Sequence, residues 1–91
     1  MAATRPQLTI YTRALCGYCS AARELLDSKG VEYHELDTTL NRKLRAEMET
    51  RSGRQTVPQI FIGDRHIGGY DDMAALDAAG ELDGLLGSAS D

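Results

Sequence analysis

The sequence is poor in the residues that build metal sites and disulfide frameworks, with two cysteines and two histidines among 91 residues. A structural zinc site needs about four nitrogen or sulfur ligands. Besides the cysteines only His34 and His66 are available, and they lie far apart in the chain, unlike the close pair of a zinc finger. A disulfide between Cys16 and Cys19 would close a short loop and stabilise the fold rather little. A zinc site and a static disulfide are therefore both disfavoured.

Long apolar segments and runs of basic residues are also missing. Residues 1–7 lead into only a short apolar run, so we expect neither a signal peptide nor a membrane span. The cytoplasm, which keeps structural disulfides reduced, is then the expected compartment. The ten basic residues form no run and the formal net charge is −4, which argues against nucleic-acid binding.

The chain contains no linker, internal repeat or low-complexity block, and its length suits one hydrophobic core. We predict a single domain over residues 1–91, with a core at about residues 7–86 and a flexible tail at 87–91. Apolar spacing predicts a strand over residues 8–11 and a helix over 19–29 that ends at Gly30. A second strand is predicted over 31–36. Leu40, Leu44 and Met48 then recur at helical spacing up to Gly53.

The C-terminal half predicts a hairpin followed by a last helix. Residues 59–62 and 65–67 alternate as strands around a tight turn at 63–64. Asp71 or Asp72 is expected to cap the last helix, which Gly80 interrupts. The element order is thus β-α-β-α-β-β-α. Because crossovers are right-handed and make the first two strands parallel, we predict an α/β fold with a mixed four-stranded sheet flanked by helices. The aromatic and aliphatic residues of the strands are expected in its core, namely Tyr11, Tyr33, Phe61, Ile10, Ile60 and Ile62.

Both cysteines fall where the first strand gives way to the first helix, in a Cys-x-x-Cys spacing typical of redox pairs in a βαβ unit. Unpaired amides at a helix N-terminus stabilise a thiolate, so Cys16 is the expected nucleophile. Cys19, one turn inside, is expected to be shielded, to keep a rather ordinary pKa and to act as the resolving thiol. Arg13 adds a positive charge upstream, unless it is simply a solvated surface residue. We assign His34 and His66 no chemistry.

These features together resemble the glutaredoxin family, over residues 8–86. The resemblance is carried by three stretches in register: Tyr11-Thr12-Arg13 to Cys16-Gly17-Tyr18-Cys19, Thr56-Val57-Pro58-Gln59-Ile60-Phe61-Ile62, and Ile67-Gly68-Gly69-Tyr70-Asp71-Asp72. It implies a thioredoxin-like fold and an enzyme that uses glutathione to reduce protein–glutathione mixed disulfides and protein disulfides. Glutathione would be a co-substrate, no bound cofactor would be required, and the chain would act as a monomer.

The resemblance also implies which residues bind glutathione. Thr56-Val57-Pro58 matches the family's cis-proline loop, whose Val57 backbone pairs with the cysteinyl part of glutathione; a trans proline opening an edge strand is the simpler alternative. Gly69 and the amides of Tyr70 and Asp71 would bind the γ-glutamyl carboxylate, and Asp72 its ammonium group.

The remaining contacts are less closely defined. Arg13 would meet the glycyl carboxylate, Tyr18 would line the groove, and Arg45 either helps or is simply solvated. Simple N-capping is the alternative role of Asp71 and Asp72, and a surface position is the alternative for Tyr18.

One residue departs from the two-cysteine branch of that family, which commonly has proline where this chain has Gly17. Glycine at this position also occurs in the single-cysteine branch, which is associated with iron–sulfur clusters. The alternative function is therefore a cluster-binding or carrier module, in which a [2Fe–2S] cluster would be held in a dimer by Cys16 of each protomer and two glutathione thiolates. Cys19 opposes this alternative, because it offers a competing internal disulfide.

Overall fold

The computed structural model describes residues 7–90, with side chains through residue 87. Its elements follow the order predicted from the sequence except at the C-terminus. They are β1 (Leu8–Thr12), α1 (Gly17–Ser28), β2 (His34–Asp37), α2 (Arg42–Ser52), β3 (Gln59–Ile62), β4 (Arg65–Gly68), α3 (Tyr70–Ala78) and α4 (Leu82–Ser90). None of the helices described is long and apolar enough to cross a membrane.

The four strands form one sheet in the order β2-β1-β3-β4. β1 and β2 are parallel because helix α1 connects them as a crossover, and the two remaining pairs are antiparallel. The predicted α/β class and mixed four-stranded sheet are confirmed.

Each face of the sheet carries its own apolar cluster, because successive side chains of a strand point to opposite faces. Ile10 and Ile60 belong to the larger cluster, where α1, α3 and α4 pack. Tyr11 and Phe61 point to the other face and pack with Met48 of α2. Because β1 and β3 are antiparallel and Tyr11 pairs with Gln59, the loop after β1 and the loop before β3 are neighbours at one end of the sheet.

The start of one strand and the start of one helix differ from the sequence-based prediction. β2 begins at His34 rather than at residue 31. The ladder between β1 and β2 starts at the pair Thr9 and His34, one residue after the start of β1 at Leu8. Leu40 is fully exposed with a positive φ of 53° and lies before α2, which starts after its N-cap Asn41. The asparagine side chain accepts the Leu44 amide at 3.0 Å, and this cap excludes Leu40 from the helix.

The predicted last helix is in fact two helices. Gly80 has a φ of 76°, a left-handed conformation that ends α3 and redirects the chain before α4. Lys29 at the end of α1 pairs with Asp77 of α3 at 2.6 Å and Asp83 of α4 at 2.9 Å. The backbone of α4 continues through residue 90, past the predicted start of the tail at residue 87. Residue 91 of that tail lies outside the described residues.

Candidate active site at the start of helix α1

Cys16 is the N-cap residue of α1, with extended backbone angles of φ −120° and ψ 109°. Its sulfur accepts the Cys19 amide hydrogen, with an N···Sγ distance of 3.2 Å. The side chain is only partly buried. The sulfur therefore pairs with a helix amide that has no partner within the helix, as the sequence predicts. It also remains open to an incoming disulfide.

Cys19 lies one turn into the same helix and is completely buried. Burial, reinforced by the hydrogen bond and charge of the neighbouring Cys16 sulfur, raises the pKa of Cys19 to about 12. The expectation of a rather ordinary pKa for Cys19 is therefore wrong, because burial disfavours the charged thiolate relative to the neutral thiol. Both cysteines are free thiols.

The loop before β3 faces Cys16. The Val57–Pro58 peptide bond is cis, as the resemblance implies, and Pro58 is buried. The Val57 carbonyl oxygen lies 3.9 Å from the Cys16 sulfur. The backbone of this loop is thus within reach of a group bound to that sulfur.

A cleft of about 290 Å³ opens beside the loop. It brings together eight of the residues predicted to bind glutathione and adds one that was not predicted, Arg54. The lining residues are Tyr18, Arg54, Thr56, Val57, Pro58, Gly69, Tyr70, Asp71 and Asp72. They come from α1, the loop before β3 and the start of α3, which are distant in sequence.

The β4–α3 junction forms the polar end of the cleft. Gly69 is the N-cap residue of α3, so neither Asp71 nor Asp72 occupies the N-cap position, but Asp72 does cap the helix from its third position. Asp72 accepts the Gly69 amide through Oδ2 at 2.9 Å from within the first turn. Gly68 has a φ of 120°, and a Cβ there would lie 2.3 Å from Asp72 Oδ2. Glycine at position 68 is therefore required for the Asp72 carboxylate to occupy this position.

Arg54 is the functional candidate that sequence reasoning missed. Its Nη1 lies 2.9 Å from Asp72 Oδ2. This guanidinium, together with the Gly69 amide, holds the pKa of Asp72 below its usual range. A cation two residues before Thr56 was the available signal. Gly53, the left-handed C-cap of α2, turns the chain so that Arg54 leaves the helix next to the loop.

Two predicted basic contacts lie elsewhere. Arg13 does not line this cleft but a second one, of about 540 Å³, which also includes Cys16, Gly17 and Arg23. Arg45 pairs with Glu49 on the same helix at 3.0 Å and lines neither cleft. The predicted contact of Arg13 with a glycyl carboxylate stays a prediction.

Two tyrosines form an aromatic wall of the first cleft. The rings of Tyr18 and Tyr70 are stacked, with centroids 6.2 Å apart and an interplanar angle of 29°. Tyr18 remains 63% exposed, so it lines the groove while presenting a face to solvent. Within residues 7–90, no group of three or more His, Cys, Asp or Glu side chains is placed to hold a metal ion.

Comparison with known proteins gives a consistent result. The sequence model described as glutaredoxin matches residues 8–67. Glutaredoxin 3 of Escherichia coli strain K12 is 58% identical over 77 residues, covering 85% of this chain and 93% of that protein. The solution structure of glutaredoxin from Brucella melitensis is 50% identical with a TM-score of 0.81, covering 94% of both chains. The crystal structure of the buckwheat glutaredoxin–glutathione complex is 30% identical with a TM-score of 0.80, covering 92% of this chain and 79% of that one.

Proposed function

Because the chain belongs to the glutaredoxin family and is a glutathione-dependent thiol-disulfide oxidoreductase, we propose that Cys16 is its nucleophile and Cys19 its resolving thiol. One observation carries this assignment: the Cys16 sulfur accepts a helix amide at 3.2 Å and is partly open to solvent. A sulfur in that position can reach a substrate disulfide, and the thiolate is the form of cysteine that attacks. Cys19 has the opposite environment, because it is buried and protonated.

The first step removes glutathione from a protein. The Cys16 thiolate attacks the glutathionyl sulfur of the mixed disulfide, a new S–S bond forms, and the old one breaks. The electron pair leaves with the substrate cysteine, which departs as a thiolate and takes up a proton from solvent. Cys16 then carries the glutathionyl group beside the Val57 carbonyl.

The second step regenerates the enzyme. A glutathione thiolate attacks the glutathionyl sulfur bound to Cys16, which releases glutathione disulfide and the Cys16 thiolate. For protein disulfides Cys19 attacks the Cys16 sulfur instead, forming the Cys16–Cys19 disulfide and releasing the substrate thiol. Two glutathione molecules then reduce the Cys16–Cys19 disulfide by two successive exchanges and leave as glutathione disulfide. Exchange rates depend on the thiolate fraction, and burial and the neighbouring Cys16 raise the pKa of Cys19 to about 12 while both thiols are reduced.

The charges of the first cleft complement glutathione, which carries carboxylates at both ends and one ammonium group. The amides of Tyr70 and Asp71 lie in the first turn of α3, where the helix supplies no acceptor, and are suited to the γ-glutamyl carboxylate. Asp72 would take the ammonium group. Arg54, on releasing Asp72, would pair with a carboxylate of the ligand. Val57 would pair with the cysteinyl backbone.

The same proposal covers partners and compartment. Glutathionylated and disulfide-containing proteins are the substrates, and every group used by the mechanism comes from one chain, which supports a monomer. The cytoplasm fits the chemistry, since its glutathione pool supplies the reductant. No cofactor is required, and nothing in the site favours the [2Fe–2S] alternative over catalysis.

The proposed roles are tested with a glutathionylated peptide and glutathione as reductant. Cys16→Ser should abolish turnover, because no other thiol reaches the substrate. Cys19→Ser should retain glutathione-dependent turnover of the peptide but lose direct reduction of a protein disulfide. If Cys19→Ser is as inactive on the peptide as Cys16→Ser, glutathione is not the resolving thiol. If the parent enzyme accepts electrons only from a thioredoxin-type donor, the proposed function itself is wrong.

A further inference from the structure

Gln59 is a polar side chain in the core, completely buried at the start of β3 and directly after Pro58. Its Nε2 lies 3.0 Å from the Thr56 carbonyl oxygen and 3.1 Å from Thr56 Oγ1. The amide thus ties the first residue of the cis-proline loop to the strand that follows it. Buried polar groups are stable only when they are hydrogen-bonded, so these contacts fix the Gln59 rotamer.

The Thr56 carbonyl decides which way the Gln59 amide points. A carbonyl oxygen only accepts hydrogen bonds, so the NH₂ group must face Thr56 and the amide oxygen must face away. His66 Nε2 lies 2.7 Å from that amide oxygen. His66 therefore carries a proton on Nε2 and donates it to Gln59. The result is a chain of hydrogen bonds in which His66 donates to Gln59 and Gln59 donates to Thr56.

The imidazole is itself held in place. His66 on β4 is the cross-strand partner of Phe61 on β3. Their rings are stacked, with centroids 4.8 Å apart and an interplanar angle of 29°. The Arg51 guanidinium lies 4.1 Å from the centre of the Phe61 ring. The donor at the end of the chain is therefore fixed by the sheet and by an aromatic contact.

We propose that His66 is a positioning residue of this enzyme, which holds the Thr56–Val57–Pro58 loop in its glutathione-binding geometry by orienting Gln59. This inference rests on the proposed role of that loop in binding the glutathionyl group. His66 does not line the cleft itself. Without its N–H, the buried Gln59 oxygen has no donor, and the amide is free to turn away from Thr56. The Val57 backbone, which lies between Thr56 and the cis proline, then loses its fixed position.

The test uses variants that separate the N–H from the ring. His66→Phe keeps an aromatic ring on Phe61 but removes the donor. We expect it to raise the KM for a glutathionylated peptide by about three- to tenfold, the effect of one lost hydrogen bond, with kcat nearly unchanged. His66→Gln restores an N–H donor and should recover most of the loss. His34→Phe, the same change at an exposed strand position, is the matched control and should leave KM unchanged.

A double-mutant cycle tests whether the two residues act as one chain. Gln59→Met should raise KM in the same way, and adding His66→Phe to it should raise KM no further. Thermal unfolding of each variant is measured in parallel, and His66→Met replaces His66→Phe if the latter does not fold.

The proposal would be overturned by a donor-free variant that folds and keeps the parent KM, or by independent effects of the two changes that multiply. His66→Gln behaving like His66→Phe would likewise exclude the donor. A parent enzyme without glutathione-dependent turnover would instead defeat the proposed function, so the two failures are distinct.

Discussion

The two thiols of the active site differ because they occupy successive turns of one helix end. Cys16 stands before the first turn, where amides lack partners and solvent is near. Cys19 stands inside it and has no exposed surface. A spacing of three residues is thus enough to place one sulfur at the open end of the helix and to bury the other.

This difference predicts selective alkylation at the residue scale. With iodoacetamide near pH 7, we expect Cys16 to be modified while Cys19 stays intact, because burial raises the pKa of Cys19 to about 12. Peptide mass spectrometry over time gives the two rates, and the same reaction in denaturant should modify both residues. Equal rates in the folded enzyme would contradict the structure at Cys19.

At the scale of elements, the beginning of α1 is compatible with proline although this chain has glycine. Gly17 is the first helical residue, and a Cβ there meets no atom within 4 Å. Cys16, at φ −120° and ψ 109°, has the extended backbone that a residue before proline adopts. Proline is also favoured at the first position of helices.

Gly17→Pro should therefore stabilise the enzyme by about 0.4–1 kcal/mol, because it restricts the unfolded chain. Glutathione-dependent turnover should stay within a few-fold of the parent. Urea unfolding measures the change in stability, and the glutathionylated-peptide assay measures the turnover. Ser20→Pro is the contrasting variant: its amide donates to the Cys16 carbonyl at 3.1 Å, so we expect a loss of about 3 kcal/mol. A destabilised Gly17→Pro enzyme would show that the loop needs glycine's freedom.

The β4–α3 junction imposes the opposite requirement on Gly68. Its φ is 120°, and a Cβ added there would lie only 2.3 Å from Asp72 Oδ2, which leaves no room for alanine. Gly68→Ala should displace Asp72, lower stability by about 1–3 kcal/mol and raise the KM for a glutathionylated peptide. Gly84→Ala, in α4 with no atom within 4 Å of the added carbon, is the control and should stabilise by up to about 1 kcal/mol. Similar behaviour of both variants would remove the argument for a fitted junction.

At the scale of the whole molecule, stability depends on pH through His66. Burial, then the charge of Arg54, lower the pKa of His66, with Arg51 acting in the same direction and Asp72 opposing them. An unfolded histidine titrates near a pKa of about 6.5. As the pH falls below that value, the unfolded chain binds a proton that the folded chain does not, so the free energy of unfolding decreases.

Urea unfolding at about pH 7.5 and pH 5.5 measures this effect. The parent should lose stability on acidification, and His66→Gln should lose less, whereas His34→Gln should behave like the parent. The carboxyl groups with lowered pKa values, Asp37 and Asp72, titrate below this range and do not contribute. An identical pH dependence in the parent and His66→Gln would contradict the buried environment of the imidazole.

Much of this protein follows from local sequence. Apolar spacing, helix-ending glycines and the hairpin turn each involve residues a few positions apart, so the order of elements and the sheet can be read from the chain. The Cys-x-x-Cys spacing locates the nucleophile, and the resemblance to a known family indicates the loop at Thr56 and the amides at Tyr70. The predictions of helices, strands and their order succeed because one turn of helix or one strand contains all the information they need. The roles of the nucleophile, the loop and the amides stay predictions.

Only the tertiary structure decided the rest, because the remaining contacts join residues that local patterns cannot relate. Arg54 meets Asp72 across 18 positions, since α2 ends in a left-handed glycine beside the start of α3. The raised pKa of Cys19 depends on the core that closes over it. His66 reaches Gln59 because the register of β3 and β4 pairs His66 with Phe61, which lies two residues further along β3 than Gln59 and therefore on the same face of the sheet. Such effects arise from desolvation and from the pairing of buried groups, and both exist only after the sheet and its helices have packed.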